Sequence, residues 1–331
     1  MSKPKVKPVV WHPPAAEPDT HSALPELRVY PVPGTGPEDV LLAPDGSVLT
    51  GIDDGSVLRI QPETGGVEVL LSTGGRPLGL EWLPDGRLLI CDAERGLLAA
   101  ELDGDREIEV LLDTVDHRKI RICNNAGVAP DGTIWFNDSS ARFDLANYKG
   151  DLIEHSGTGR LIRRDPDGSA TTVVTGLQFA NGVALAPDGS AVFFAETGSY
   201  SLSKIETNGL NAGRVTVVGH ALPGFPDNIS PGTDGLIWVA IASPRNPIID
   251  KLAPLPPFLR KAVWALPERL QPAPEFLTRV LAVEPTSGDI VHDYAGEHAD
   301  FGVSTGVREH HGTVWLGSLT AGTVASFVIP Q

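Results

Sequence analysis

A short turn sequence recurs along the chain and constrains its fold more than any other feature. Pro-Asp-Gly occurs at 44–46, 84–86, 130–132 and 187–189, and each copy separates two short apolar runs, as in "GVALAPDGSAVFFAET". Two looser copies follow, in "ISPGTDGLIWVA" and "GVREHHGTVWLGS". Asp-Gly between apolar runs is a strong local signal for a β-hairpin. The sequence therefore predicts six hairpins of one pattern, and a further Pro-Asp-Gly at 166–168 predicts an outer hairpin of the third unit.

The spacing of these turns predicts a β-propeller. The turn glycines are separated by 40, 46, 57, 46 and 77 residues. A period of about 40 to 50 residues with short strands is typical of propeller blades. Six repeats predict an all-β, six-bladed β-propeller over residues 26–331, preceded by an N-terminal extension at 1–25. The strands at 26–32 and 323–329 are expected to complete one blade together, which would close the ring and leave no long open sheet edge.

Two of the units are longer than this period requires. One contains a polar stretch at 141–159, which we interpret as a loop, and the other contains an insertion at 243–276. The insertion has a Pro-rich start, predicted as loop, and then "PPFLRKAVWALPERL", predicted as a short amphipathic helix. We expect the insertion to form a helical lid over the mouth of the ring, because long loops in compact domains are often lids. A helix that lies on a membrane surface is the alternative.

Charge and composition exclude several classes of partner. The chain has 331 residues and a formal net charge of −16, and it lacks the clustered Lys and Arg that phosphate contacts need. We therefore expect a small-molecule substrate, and neither nucleic acid nor an anionic membrane. No apolar stretch is long enough to span a bilayer and the N-terminus lacks a signal-peptide core, so a cytoplasmic location is predicted. Cys91 and Cys123 are predicted to be buried free thiols. The sequence leaves the oligomeric state open.

Polar residues occupy equivalent places in most of the repeats. Eight residues before the turn glycines stand Glu38, Leu78, Asn124, Asn181, Asp227 and Ser304. One residue later stand Asp39, Gly79, Asn125, Gly182, Asn228 and Thr305. Equivalent positions in a propeller lie on a circle about its axis, and the strand that follows them is expected to be the innermost. Four oxygen-bearing side chains of the first set are therefore predicted to converge on one point.

Such an oxygen-only set is typical of a site for a hard cation. Ca²⁺ takes six to eight oxygen ligands from carboxylates, amide carbonyls and water. The predicted ligands are two carboxylates and up to three amides: Glu38, Asp227, Asn124, Asn181 and Asn228, the last of which either joins the set or braces it. These aligned positions include no Cys or His, which argues against a structural zinc site. The alternative is that these polar residues cap the inner strands or bind water.

Five stretches of the chain resemble one known superfamily. They are "GPEDV", "NNAGVAPDGTIWFNDSS", "FANGVALAPDGSAVFFAET", "GFPDNIS" and "REHHGTVWLGS", and the likeness covers the chain from about residue 30 onward. The superfamily is that of SMP-30/gluconolactonase, paraoxonase and strictosidine synthase, with the closest resemblance to the strictosidine-synthase-like branch that includes adipocyte plasma membrane-associated protein. Its metal-dependent members bind Ca²⁺ or a similar divalent ion through a Glu, two Asn and an Asp. The resemblance implies these roles for Glu38, Asn124, Asn181 and Asp227, and paraoxonase-like members imply one for Asn228.

The resemblance also implies an activity. The metal-dependent members hydrolyse lactones, aryl esters or organophosphates, with a cation that polarises a carbonyl or phosphoryl oxygen. Asp227 is the predicted catalytic base, as its counterpart is in gluconolactonase-like enzymes. The predicted substrate-contacting residues are Ser304, Thr305, His117 and Phe179. For His117, an exposed loop position with no functional role is the alternative.

Strictosidine synthase itself differs at one decisive position. It uses no metal and has a catalytic Glu shortly before its last "EHxG" motif, whereas the matching stretch here, "VSTGVREHHG", has Thr305 nearest that place. We interpret Glu309 and His310 as exposed structural residues. Three functions remain: a Ca²⁺-dependent hydrolase of lactones or related esters, a non-catalytic propeller that binds a small ligand, and a bond-forming enzyme like strictosidine synthase, against which the missing Glu counts.

Overall fold

The protein folds as a six-bladed β-propeller, as the repeat predicts. The computed structural model describes residues 3–16 and 18–330. The blades are numbered in chain order. Blade 1 contains β3 (Leu41–Leu42), β4 (Val48–Gly51), β5 (Ser56–Gln61) and β6 (Gly66–Ser72), and blade 2 contains β7 (Pro77–Trp82), β8 (Leu88–Asp92), β9 (Gly96–Ala100) and β10 (Ile108–Leu112). Blade 3 contains β13 (Cys123–Val128), β14 (Ile134–Asp138), β15 (Gly159–Arg164) and β16 (Ala170–Leu177). Each is an antiparallel sheet with its strands in chain order.

Blades 4 to 6 repeat this arrangement and recruit strands from the N-terminal part of the chain. Blade 4 contains β17 (Ala180–Leu185), β18 (Ala191–Glu196), β19 (Ser201–Glu206) and β20 (Val215–Gly219). Blade 5 contains β21 (Gly224–Pro231), β22 (Ile237–Pro244), β23 (Thr278–Val283), β24 (Ile290–Gly296) and β1 (Ser22–Ala23). Blade 6 contains β25 (Ser304–His310), β26 (Thr313–Ser318), β27 (Thr323–Val328) and β2 (Arg28–Pro31). The strand β2 pairs antiparallel with β27 and closes the ring. The strand β1 pairs parallel with β24, so the predicted N-terminal extension contributes a fifth strand to blade 5.

The Pro-Asp-Gly turns form tight hairpins for a local reason. In the first copy, the Asp45 carboxylate accepts hydrogen bonds from the Ser47 amide at 2.9 Å and the Ser47 hydroxyl at 2.6 Å. The following residue, Gly46, has φ of 81°, a conformation that a residue with a Cβ rarely adopts. The extra copy at 166–168 joins β15 to β16, which confirms the predicted outer hairpin of blade 3.

The innermost strands of neighbouring blades approach each other closely around the axis. A Cβ atom on Gly79 of β7 would lie 2.7 Å from the Asn124 carbonyl oxygen of β13, so only glycine fits at this position. Between the blades lie apolar clusters, and Cys91 and Cys123 belong to the cluster between blades 2 and 3. Both cysteines are fully buried free thiols, as the sequence predicts.

The stretch at 141–159 contains a helix, α1 (Tyr148–Glu154), where its polar composition predicts a loop. The polar composition concealed an apolar face: Ile153 packs with Phe143 and with Trp264 of the 243–276 insertion in one buried cluster. The loop interpretation is therefore wrong. A helix forms here because tertiary packing can stabilise a short helix that would not persist alone.

The 243–276 insertion contains two helices, α2 (Pro247–Leu252) and α3 (Phe258–Ala265). The helix α3 lies within the predicted amphipathic segment. The helix α2 falls in the stretch predicted as loop, and it has a regular start: Pro247 occupies its first turn, and the Asn246 side chain accepts hydrogen bonds from the amides of Ile248 and Ile249 at 3.0 and 3.3 Å. In the described part of the chain, no helix is long and apolar enough to cross a membrane.

Residues 3–16, which we call the N-terminal strap, run across all three helices. The Glu154 side chain at the end of α1 accepts a hydrogen bond from the Lys7 amide at 2.5 Å, and its backbone carbonyl accepts one from Val9. The Trp264 indole of α3 donates to the Pro4 carbonyl at 2.7 Å. The Trp11 ring stacks on His155 with the ring centroids 3.8 Å apart. The strap therefore connects α1 to the insertion.

Candidate functional site

A cavity that is open at its mouth lies where the inner strands meet the inserted helices. Four of the polar residues that are predicted to converge near the propeller axis line this cavity, and we call them the ring residues: Glu38, Asn124, Asn181 and Asp227. All four are between 2% and 9% exposed. The inserted segments α1, α2 and 271–274 line the same cavity. The insertion and α1 therefore share the cavity wall with the ring residues, and we call these helical segments the lid.

Irregular strand pairing explains how Asn and Asp residues can occupy inner strands. The pairing register shifts between Cys123 and Ala126 of β13, between Ala180 and Val183 of β17, and between Pro226 and Ile229 of β21. Asn124, Asn181 and Asp227 each lie inside one of these β-bulges, whereas Glu38 precedes β3, the first strand of blade 1. A bulge leaves a residue out of the regular ladder and re-aims its side chain. The bulge explains how the stretch "GFPDNIS" can begin a strand although Asp and Asn disfavour strands.

Hydrogen bonds fix the orientation of the two ring amides. The Asn124 side-chain nitrogen donates to the Ser139 hydroxyl at 3.2 Å, and that of Asn181 donates to the Thr197 hydroxyl at 3.1 Å. Thr197 in turn donates to the Pro226 carbonyl at 2.7 Å. With the nitrogen of each amide committed to the protein, its oxygen is directed elsewhere. The Oδ1 atoms of Asn124 and Asn181 are buried and have no hydrogen-bond partner among the described residues.

The two carboxylates of the ring lie in an unfavourable environment for negative charge. Burial, together with the charges of Asp227 and Asp39, raises the pKa of Glu38 well above its usual value. Burial raises the pKa of Asp227 to about 8. One Asp227 oxygen, Oδ1, is buried and also lacks a hydrogen-bond partner within the described chain. A divalent cation would offset both the repulsion and the burial of these charges.

The residue types present therefore fit a hard cation. Three buried oxygens without partners and the Glu38 carboxylate come from four different blades and line one cavity. An unpartnered buried polar atom costs about 1–3 kcal/mol, so several in one place fit a site that binds a cation or water. Among the described residues, no group of three or more His, Cys, Asp or Glu side chains is placed so that it could hold a metal ion by itself. Any cation here would depend on amide oxygens as well as carboxylates.

The residues that follow the ring positions brace the blades. The Asp39 carboxylate accepts from the Leu80 amide at 3.0 Å, and the Asn125 side-chain oxygen accepts from the Val183 amide at 2.8 Å, each across a blade boundary. The Asn228 amide donates to the Glu38 carboxylate at 3.1 Å. Asn228 is buried and does not line the cavity. Its amide nitrogen therefore braces Glu38, while its Oδ1, like those of Asn124 and Asn181, is buried and has no hydrogen-bond partner among the described residues.

The four predicted substrate contacts have different outcomes in the structure. Phe179 lines the cavity. His117 does not: it is exposed at the turn between β11 (Thr114–Val115) and β12 (Arg118–Lys119), because these residues form a separate small hairpin outside the blades. Ser304 and Thr305 are buried outside the cavity lining, and the Thr305 hydroxyl donates to the Glu38 carbonyl at 2.8 Å. Thr305 therefore contacts the blade 1 backbone, whereas the Ser304 hydroxyl is buried and has no hydrogen-bond partner among the described residues.

Sequence reasoning missed several residues of the site. Tyr148 and Leu152 of α1 line the cavity, but 141–159 was interpreted as loop. Ser139 and Thr197 orient the ring amides from positions just beyond β14 and β18. The repeated placement of a hydroxyl there, in "FNDSS" and "FAET", was the available signal. Glu309, predicted to be exposed, is buried and accepts from the Thr233 amide.

Comparison with known proteins gives the family. The model of the SMP-30/gluconolactonase/LRE-like region matches residues 39–248. The chain belongs to the SMP-30/gluconolactonase/LRE-like family. It is 35% identical over 289 residues to the protein strictosidine synthase-like 6 of Arabidopsis thaliana, covering 84% of this chain and 76% of that protein. It is 31% identical over 310 residues to adipocyte plasma membrane-associated protein of Rattus norvegicus, covering 86% and 80%.

Solved structures share the propeller fold at low sequence identity. A gluconolactonase from Xanthomonas campestris superposes with a TM-score of 0.68 at 17% identity and covers 100% of this chain and 99% of its own. Regucalcin from Agrobacterium tumefaciens, described as a calcium-binding protein, superposes with a TM-score of 0.65 at 14% identity and covers 94% and 96%. These likenesses establish the six-bladed fold of this family member.

Proposed function

We propose that the protein is a divalent-cation-dependent hydrolase of lactones or related esters, with Ca²⁺ or a similar ion held at the propeller axis. The observation that carries this proposal is the set of buried, unpartnered oxygens on Asn124, Asn181 and Asp227 beside the Glu38 carboxylate. Two solved structures with the same fold suggest the ion and the substrate: one is described as a calcium-binding regucalcin and the other as a gluconolactonase.

The residues divide into ligands and supports. Glu38, Asn124, Asn181 and Asp227 would hold the cation, and Asn228 would brace Glu38. The two carboxylates supply the two negative charges that balance a divalent ion. A bound divalent ion supplies Lewis-acid polarisation of the substrate carbonyl. The apolar residues of α1, α2 and Phe179 would hold the substrate and exclude bulk water.

Asp227 is the proposed general base. It lines the cavity, it is the more exposed of the two carboxylates, and one of its oxygens has no other partner. A carboxylate in this position can take a proton from a water molecule that attacks the substrate carbonyl. Its burial keeps its proton affinity high, and a neighbouring cation would lower it.

A chelation experiment tests the proposal. The full chain, dialysed against EDTA, is assayed on lactones, aryl esters and phosphotriesters before and after Ca²⁺ is restored. We expect hydrolysis to be lost on chelation and recovered with Ca²⁺, and calorimetry to show about one ion per chain. Hydrolysis that is indifferent to chelation, or no detectable cation binding, would overturn it.

A second candidate function is a non-catalytic propeller in which the cation acts only as a structural strut. The observation that favours it is the network of blade-to-blade hydrogen bonds around the ring, such as those of Asp39 and Asn125. In that case, chelation would lower the melting temperature and no ester would be hydrolysed. A bond-forming activity like that of strictosidine synthase has less support, because Thr305 stands where a Glu is needed and its hydroxyl is committed to the Glu38 carbonyl. The cytoplasmic location stays a prediction.

A further inference from the structure

Resting on the proposed function, we infer that the substrate carries an apolar acyl chain or ring, and that polyhydroxylated sugar lactones are poor substrates. Away from the ring residues, the cavity wall is mainly aliphatic and aromatic. It includes Leu78, Leu145, Leu152, Phe179, Phe225 and Ile249. These side chains come from the inner strands or the residue before one of them, from α1 and the turn before it, and from α2, so the apolar surface lies on several sides of the cavity.

Away from the ring residues, four polar side chains of the wall are engaged with other parts of the protein, and Tyr148 adds a phenol hydroxyl to the same wall. The Ser243 hydroxyl accepts from the Glu275 amide at 3.1 Å, and the Asn246 oxygen caps α2. The Gln271 amide donates to the carbonyls of Trp264 and Leu266 at 2.8 and 3.0 Å. Lys149 lies 3.4 Å from the Glu268 carboxylate. These groups are positioned to hold the lid rather than to bind a ligand.

This pairing determines which ligands the cavity accepts. A sugar lactone has several hydroxyl groups, and each one buried without a partner costs about 1–3 kcal/mol. An alkyl or aryl group carries no such cost and gains about 0.8 kcal/mol for each buried methylene. The cavity therefore discriminates against hydroxylated substrates by leaving their polar groups unpaired, in addition to any apolar attraction.

The first test compares two substrate types on the full chain in Ca²⁺. One is a series of γ-lactones with side chains from methyl to octyl, and the other is glucono-δ-lactone. We expect kcat/KM to rise about two- to fourfold for each added methylene until the cavity is filled, and to be at least about a hundredfold lower for gluconolactone than for the octyl lactone. Equal or faster turnover of gluconolactone would overturn the inference and leave the proposed hydrolase intact.

A binding measurement keeps the two proposals distinguishable. If no lactone is hydrolysed, the proposed function fails, and the ligand class is then judged by calorimetry with γ-octyl-butyrolactam and gluconolactam, which resist hydrolysis. Binding of the octyl lactam with no detectable binding of gluconolactam supports the apolar class. Preference for gluconolactam, or binding of neither, overturns it.

Two neighbouring residues of α2 provide a matched pair of variants. Ile249 lines the cavity, whereas Ile248 is 58% exposed and lies outside the lining. Ile249→Asn is expected to lower kcat/KM for the octyl lactone about tenfold and for the methyl lactone less than about threefold. Ile248→Asn, the same change on the same helix, should leave both within about twofold. Equal losses on both lactones in Ile249→Asn would contradict an apolar subsite at this wall.

Discussion

At the scale of single residues, Asp227 combines two properties that are hard to reconcile. It is a buried acid beside a second buried acid, and it lies in the wall of the cavity. As a cation ligand it must be ionised, and as a base it must retain affinity for a proton. Replacing it separates the two roles, because excess cation restores ligation but cannot restore a missing base.

Asp227→Asn keeps the size of the side chain and removes its charge. We expect weaker Ca²⁺ binding and, at saturating Ca²⁺, a residual loss of turnover of about a hundredfold or more, the usual worth of a general base. Titration calorimetry and steady-state kinetics measure the two effects. Asn124→Asp, which adds a charge to the ring, should tighten Ca²⁺ binding without replacing the base. Full recovery of Asp227→Asn by Ca²⁺ would leave Asp227 as a ligand only.

The raised pKa values of the ring predict how stability depends on pH. Asp227 has a pKa of about 8 in the folded protein and 3.8 when unfolded, so the folded state binds more protons between these values. The chelated protein should therefore lose stability as pH rises towards 8. Asp39 and Asp151, with pKa values of about 6, contribute mostly below pH 7. The slope between about pH 6.5 and 8 thus reports chiefly Asp227, against a smaller opposite contribution from His155, whose pKa burial lowers to about 4.

Melting temperatures of the chelated protein test this slope. We expect Asp227→Asn to flatten it and to raise the melting temperature at pH 8, while Ca²⁺ stabilises the parent more strongly as pH rises, because binding displaces protons. Asp188→Asn, at an exposed turn, is the control and should leave the slope unchanged. A chelated parent protein that becomes more stable from pH 6.5 to 8 would contradict the assignment.

The residues of the ring could be predicted from the sequence, but their supports could not. Counting back from the turn glycines finds Glu38, Asn124, Asn181 and Asp227 because the turn and the inner strand are separated by a constant number of residues. The partners of the amides, Ser139 and Thr197, come from beyond the next strand. Their contacts depend on the bulge and on the pairing register, which no repeat spacing encodes.

At the scale of elements, the lid shows where sequence patterns fail. The segment α3 has an amphipathic period and was predicted. The helices α1 and α2 are seven and six residues long, too short for a clear period. They are held by tertiary contacts, including those of the N-terminal strap, and a sequence pattern does not contain such contacts.

The strap provides a prediction about the lid. Trp11 stacks on His155 and its amide donates to the Ala253 carbonyl at 3.3 Å, so it joins the end of α1 to the end of α2. Trp11→Ala should speed amide hydrogen exchange in 145–155 and 247–265 by about tenfold, with the blades unchanged. Mass spectrometry of exchanged peptides measures this.

The matched control for the strap is its neighbour Val10, which is 46% exposed. Val10→Ala shortens a side chain of the strap without removing the stack, and it should leave exchange in the lid helices at the parent rate. If Trp11→Ala also leaves that rate unchanged, the strap does not hold the lid.

At the scale of the whole molecule, one blade joins the two ends of the chain. The closing strands were predicted at 26–32 and 323–329 and are observed as Arg28–Pro31 and Thr323–Val328. This part of the fold could be predicted because the last repeat has too few strands for a blade and the strand at 26–32 precedes the first repeat. The buried Tyr30 of β2 packs on Trp315 with the ring centroids 5.2 Å apart.

Tyr30→Ala should therefore destabilise the whole ring. Truncating a buried aromatic side chain costs about 3 kcal/mol or more, and we expect that loss in the free energy of unfolding measured by urea denaturation. Val328→Ala alters the same closing pair of strands at a side chain that is 70% exposed, and it should cost less than about 0.5 kcal/mol. Similar small losses for both would indicate that the closing blade is not needed for stability.

Ring closure also fixes an order of events during synthesis. Tyr30 and its closing partner Ser326 are 296 positions apart, so the first strand of the closing blade leaves the ribosome long before the last. At about 5–20 residues per second, it waits about 15 to 60 s for its partner. During that interval blade 6 is incomplete and the ring is an open arc. Glu38 is likewise synthesised early and can approach Asp227 only after blade 5 has emerged, so the site assembles from residues that are synthesised at very different times.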